Sequence, residues 1–143
     1  MPDSLFRLIY VSQAVQALDG RALLELFREA RANNEADEIS GILLYRGNAF
    51  MQAIEGPEAA VRLLFERIAA DPRHTAVTVL AQGPISKREF THWTMGFAHI
   101  DDLPPGELTR HAHLLNEPLT SSFFQRHPQS ALALLKALKG SLK

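Results

Sequence analysis

Residues 39–55, ISGILLYRGNAFMQAIE, carry two apolar runs separated only by Arg46-Gly47-Asn48. Two strand-like runs joined by so short a polar link read as a β-hairpin. In the second run Phe50, Gln52 and Ile54 share a face, because side chains alternate along a strand. The residues around this hairpin extend it into a sheet. Residues 5–12, LFRLIYVS, form a strand with Phe6, Leu8, Tyr10 and Ser12 on one face and Leu5, Arg7, Ile9 and Val11 on the other. A helix is expected over about 20–34, capped by Asp19, with Leu23, Phe27 and Ala30 on one stripe. Asn34 continues that stripe, so the helix ends on an amide pair, Asn33-Asn34. Gly56 ends the second hairpin strand, and Pro57 suits the first position of a second helix, with Glu58 near its amino end. Val61, Leu64, Phe65 and Ile68 are its apolar stripe, and Asp71-Pro72 stops it. Residues 76–82 and 93–99 are two further strands, the last with Trp93, Met95 and Phe97 on one face.

The order β-α-β-β-α-β-β predicts an α+β, ferredoxin-like sheet with both helices on one face. Leu103-Pro104-Pro105-Gly106 then breaks the chain, dividing a domain over 1–100 from a helical extension over 101–143. In the extension, Ala131, Leu134, Leu135 and Leu138 make an amphipathic stripe between Pro128 and Gly140. The sheet face away from the two helices needs cover, from these C-terminal helices or from a second subunit.

Composition narrows the function. The 143 residues are 46% hydrophobic and 22% charged, which excludes disorder as the main state. No apolar run has the length of a membrane span, and the start does not read as a signal peptide. Cysteine is absent, which excludes disulfides, thiolate metal sites and cysteine nucleophiles and fits a cytoplasmic protein. A net charge of −1 gives no support to nucleic-acid binding. The histidines, His74, His92, His99, His111, His113 and His127, lack metal-ligand spacing, so no metal site is expected. No GxGxxG, Walker A or GxSxG motif is present.

Three polar residues sit on apolar faces: Tyr10, Asn34 and Gln52. Burying an amide unpaired costs roughly 1–3 kcal/mol, so these groups need partners. Taken singly, each has an ordinary structural explanation: a tethered tyrosine, an edge glutamine, a helix-ending asparagine. Together they can satisfy each other, or something bound between the two helices.

The segments LFRLIYVSQA, ARANNEADEISGILLYRGNAFMQAIEG, IAADPRH and FTHWTMGF occur in an order and spacing that resemble the BLUF family of blue-light sensors, over about residues 4–100. The chain departs from that pattern at Asp37-Glu38, where the family often has Asp-Gly, which bears on the turn after the first helix. The resemblance implies a flavin ring between the two helices, against the sheet. It implies FAD as the cofactor, with FMN or riboflavin as alternatives. Leu26, Phe27, Leu64 and Ile68 would supply apolar walls, Asn34 would bond the ring's N3–H and O4, and Asn33 would hold the O2 side. Arg67, Arg73 and His74 match positions near the O2 edge or the phosphates, or are a solvated helix end.

The same resemblance implies photochemistry centred on Tyr10 and Gln52, with electron and proton transfer from Tyr10 through Gln52 and a rearranged glutamine afterwards. Trp93 and Met95 match a switch segment on the last strand, or are a plain core stripe with Phe97. The expected protein is a stand-alone photoreceptor and not an enzyme. It would act as a homodimer or larger oligomer and signal through the last strand and C-terminal helices to a partner protein in trans. Two rivals stand beside this reading. One is a small enzyme, either a flavin-dependent oxidoreductase or an acylphosphatase-type hydrolase; the polar residues, amides and a phenol, argue against an acid/base pair. The other is a flavin-free interaction module in which Tyr10 and Gln52 merely bond each other.

Overall fold

A computed structural model describes residues 5–15, 21, 25, 28–29, 32, 38–90, 96–99, 119 and 122–139. Its strands are β1 (Leu5–Ala14), β2 (Ser40–Arg46), β3 (Ala49–Pro57), β4 (His74–Pro84) and β5 (Gly96–His99). Its helices are α1 (Glu58–Ala70), α2 (Ser122–Arg126) and α3 (Pro128–Lys139). Arg21, Glu25, Arg28, Glu29 and Ala32 are also helical, within the stretch expected to form the first helix. Leu23, Phe27, Ala30 and the Asn33-Asn34 pair lie outside the described residues.

The strands form one sheet in the order β4-β1-β3-β2-β5. Along β4-β1-β3-β2 each neighbouring pair is antiparallel, as the ferredoxin-like order requires, and β5 adds to the edge parallel to β2, with Ile42 opposite Gly96. The fold is the expected α+β, ferredoxin-like class.

The hairpin is tighter than the sequence suggests. Arg46 pairs with Ala49, so the link is the two residues Gly47 and Asn48. Both have positive φ, +54° and +67°, the signature of a type I′ turn, which glycine and asparagine tolerate best. The Tyr45 hydroxyl donates to Asn48 Oδ1 at 2.9 Å, and the Ala14 N–H donates to the Asn48 carbonyl at 2.8 Å. The first bond braces the turn against β2, and the second ties it to the end of β1, consistent with β1 running to Ala14 rather than stopping at Ser12. Gly41 meets another demand: a Cβ there would sit 2.0 Å from the Ala53 carbonyl oxygen, so β2 lies against β3 only without a side chain at this point.

β3 likewise continues through Gly56 to Pro57, because Leu5 and Phe6 still pair with these residues. Pro57 is therefore the extended residue before α1, with ψ 137°, and not its first helical residue. β4 also exceeds its expected span at both ends. Its register with β1 shifts between Ile9 and Tyr10 and between Val11 and Gln13, where β4 carries extra residues as bulges, and pairing resumes beyond each shift. The last strand is described from Gly96 to His99 only.

Each sheet face has its own core. On the α1 side lie Phe6, Leu8, Tyr10, Leu43, Tyr45, Phe50, Ile54, Val61 and Leu64, with Phe65 and Ile68 partly buried against them. The Arg62 guanidinium lies 4.7 Å from the Phe6 ring centroid and adds a cation–π contact between α1 and β1. On the opposite face, Ile9, Val11, Ile42, Leu44, Met51 and Ala53 join Phe90, Leu119, Phe124, Ala131, Leu134 and Leu135. The C-terminal helices thus cover the second face. That cover removes the reason for expecting a second subunit there.

Candidate flavin site

Tyr10 and Gln52 are far apart in sequence and directly opposite in the β1–β3 register. Both point to the α1 side, so the alternation that puts Phe6 and Leu8 in the core puts these polar groups there too. They are 3% and 4% exposed. The Tyr10 hydroxyl donates to Gln52 Oε1 at 2.5 Å. The Phe65 ring on α1 meets the Tyr10 ring edge-on, with centroids 5.7 Å apart.

Burial pushes the Tyr10 hydroxyl above its ordinary value of 10.0, and the negative charge of Asp71 adds to the shift. Both effects disfavour phenolate. Tyr10 is accordingly a neutral hydrogen-bond donor throughout the physiological range. Gln52, accepting from Tyr10 through its carbonyl, keeps an NH2 group that donates.

Leu64 is buried in the same core, and Ile68 is partly buried one helical turn later. Arg67 is exposed in the last turn of α1. Arg73 follows the helix and is bound by two carboxylates: it donates from Nε and Nη2 to Asp71, at 2.6 Å for the shortest contact, and from Nη2 to Glu29 at 3.1 Å. The hydrogen bond to Asp71 is the main influence holding Arg73 in its charged form. Together these contacts fasten the turn after α1 to the helical segment containing Glu29.

The His74 backbone pairs with Ala14 in the sheet, while its side chain lies outside the described part. Leu26, Phe27, Asn33, Asn34, Trp93 and Met95 also lie outside the described residues. Structure therefore brings together Tyr10, Gln52, Leu64 and Ile68 on one face, and places Arg67 and Arg73 at the carboxyl end of α1. Among the described residues no group of three metal-ligating side chains occurs.

Sequence reasoning overlooked Glu55, which is 0% exposed on the opposite sheet face. The sequence signal was partial: Glu55 alternates with Met51 and Ala53 on an apolar stripe, while its pairing with Arg7 on β1 shows only in the register.

A buried phenol and amide beneath an apolar helix face suit a flat ring that needs apolar walls and a few placed polar partners. Comparison with known proteins gives this arrangement a family. Residues 5–96 match the BLUF family model, sensors of blue light using FAD, and the chain belongs to that family. The unit that this family describes is a photosensor and not itself a catalytic domain.

Relatives include the photoactivated adenylate cyclase subunit beta of Euglena longa, 37% identical over 102 residues, which are 70% of this chain and 12% of that protein. Subunit alpha of Euglena gracilis is 37% identical over 101 residues, 69% of this chain and 10% of that one. The chain thus spans about an eighth or less of these relatives' length. Among solved structures, BlrB, a BLUF protein in its dark state, superposes with a TM-score of 0.81 at 31% identity, covering 99% of this chain and 100% of that one. The photo-activated state of BlsA gives 0.77 at 28% identity, covering 94% of each.

Proposed function

We propose that this chain senses blue light through FAD held on the α1 face, and that the Tyr10–Gln52 pair is its photoactive element. The carrying observation is the buried hydrogen bond from the Tyr10 hydroxyl to Gln52 Oε1. Leu64 and Ile68, with Leu26 and Phe27 of the first helix, wall the ring. Asn33 and Asn34 bond its polar edge, and Arg67, Arg73 and His74 lie toward the O2 edge or the phosphates. For Arg73 to take a phosphate, it must release part of its grip on Asp71 and Glu29. FMN shares the ring contacts and is the alternative ligand.

When bound and excited by blue light, the flavin supplies a strong one-electron oxidant. Tyr10 is suited to answer it. As a neutral donor it gives up an electron, and its proton leaves along the existing hydrogen bond to the Gln52 carbonyl oxygen. When electron and proton return, Tyr10 is restored and Gln52 is left in an altered hydrogen-bonding arrangement, by rotation or tautomerisation of its amide. An amide suits this role because one end accepts, the other donates, and the two are nearly equal in shape. Asp71, whose charge disfavours phenolate, also favours loss of an electron from Tyr10.

The changed pattern at Gln52 acts on Trp93 and Met95, and through β5 and the C-terminal helices reaches a partner protein in the cytoplasm. The packing of α3 against the far sheet face supports this route. The test is an absorption spectrum of the FAD-loaded protein. Flavin bands that move slightly red under blue light and relax in darkness support the proposal. A protein that binds no flavin, or whose flavin simply bleaches by photoreduction, contradicts it.

A further inference from the structure

Glu55 lies three residues along β3 from Gln52 and on the other side of the sheet. Its carboxylate is fully buried and fully engaged. Arg7 Nε donates to Oε2 at 2.7 Å, and the backbone N–H groups of Glu89 and Phe90 both donate to Oε1 at 2.9 Å. The preceding residue completes the attachment: Arg88 Nη1 donates to the Glu55 carbonyl at 3.0 Å and to Ser40 Oγ at 2.9 Å, and Nη2 donates to the Glu38 carbonyl at 2.7 Å.

Three consecutive residues, 88–90, are therefore bolted to β2, β3 and the turn before β2, and through Glu55 to Arg7 of β1. Phe90 is fully buried and belongs to the core that the C-terminal helices complete with Phe124, Leu134 and Leu135. Burying a carboxylate is costly, and a packed apolar site needs no ion pair for stability alone. What the carboxylate adds is direction: it holds two adjacent amides and one guanidinium at fixed places on β3. A displacement of β3 at Gln52 moves Glu55 with it, and buried networks of this kind shift between discrete arrangements rather than deforming smoothly.

We infer that Glu55, clamped between Arg7 and the Glu89 and Phe90 amides, is a positioning residue of the photoresponse. It carries the change at Gln52 through the sheet to Phe90 and the C-terminal helices. It thereby sets how long the lit state lasts, not whether it forms. The inference rests on the light-sensor reading and extends it.

The test uses the full chain loaded with FAD, as Glu55→Gln and as the paired variant Arg7→Gln/Glu55→Gln. Both are expected to form the red-shifted state with wild-type amplitude. Dark recovery is expected to change about fivefold or more, equivalent to about 1 kcal/mol in the recovery barrier. The light-induced change in amide exchange over residues 122–139 is expected to shrink. A purely structural Glu55 lowers the denaturation midpoint and leaves recovery and the light–dark exchange difference as in the wild type, and that result overturns the inference.

The paired variant leaves no buried charge alone and decides the matter if the single variant does not fold. The unsubstituted protein gives an independent reading. Exchange at the Glu89 and Phe90 amides should differ between dark and light, and identical exchange at both refutes the link. Failure of the sensor reading looks different, since the unsubstituted protein would then show no red shift at all.

Discussion

The Tyr10–Gln52 bond has an energy that can be measured without light or flavin. In Gln52→Leu the Tyr10 hydroxyl, 3% exposed, loses its acceptor at 2.5 Å. In Tyr10→Phe the buried Gln52 carbonyl loses its donor. Depriving a buried polar group of its partner costs about 1–3 kcal/mol, while removing both partners together is far cheaper. Leucine fills much of the glutamine's volume, so little of the loss comes from a cavity.

The double variant should therefore be about 1–2 kcal/mol more stable than the sum of the single effects predicts. With a urea slope of about 2 kcal/mol per molar, the middle of the usual range, that coupling is roughly 0.5–1 M in the midpoint. Equilibrium urea unfolding of the flavin-free wild type, both single variants and the double variant supplies the four values. Single effects that add to within about 0.3–0.5 kcal/mol, the scatter of independent sites, would show that the two groups are satisfied separately. The reasoning from a mutual bond would then fail.

Other positions make sharper or simpler demands. Glu38 has φ +60°, a conformation that costs an L-residue about 1–2 kcal/mol, and glycine gives back about 0.5–1 of that in unfolded-chain entropy. Glu38→Gly should stabilise the protein by about 0.5–1 kcal/mol in thermal or urea unfolding, and a loss of stability would contradict the strain. The Tyr10 pKa is raised in the folded state, so its contribution is intact below the unfolded value of 10.0 and falls as pH rises through and beyond it. Wild type should accordingly lose more stability above about pH 10 than Tyr10→Phe does, measured by urea midpoints across that range; parallel curves would refute the shift. Asn34→Ala should weaken FAD binding by roughly 5–150-fold, the equivalent of a lost buried pairing of about 1–3 kcal/mol, in a fluorescence titration. Unchanged affinity would remove Asn34 from the site.

Much of this architecture was legible because its determinants are local. Alternation in residues 5–12 and 49–55 assigned Tyr10 and Gln52 to one face, and the observed register puts them opposite each other. The stripe Val61, Leu64, Phe65, Ile68 likewise gave α1 and its buried side. What escaped depends on partners distant in the chain. β1, β3 and β4 run past their expected ends because ladder bonds continue where side-chain pattern fades, as at Gly56 and Pro57. The parallel attachment of β5 to β2 has no local marker.

Glu55 went unnoticed because a charged residue near a strand end reads as solvated. Only the register with Arg7 and the return of residues 88–90 make it a core group. The departure at Asp37-Glu38 was visible, but not its outcome: Glu38 takes the left-handed conformation, and its carbonyl is held by Arg88.

The central claim is that Tyr10 drives the response through Gln52. Its most direct test is the light-minus-dark absorption spectrum of FAD-loaded Tyr10→Phe beside the wild type. The account predicts that both are yellow, that the wild type shows a reversible red shift, and that Tyr10→Phe shows none. A normal, reversible red shift in Tyr10→Phe would contradict it.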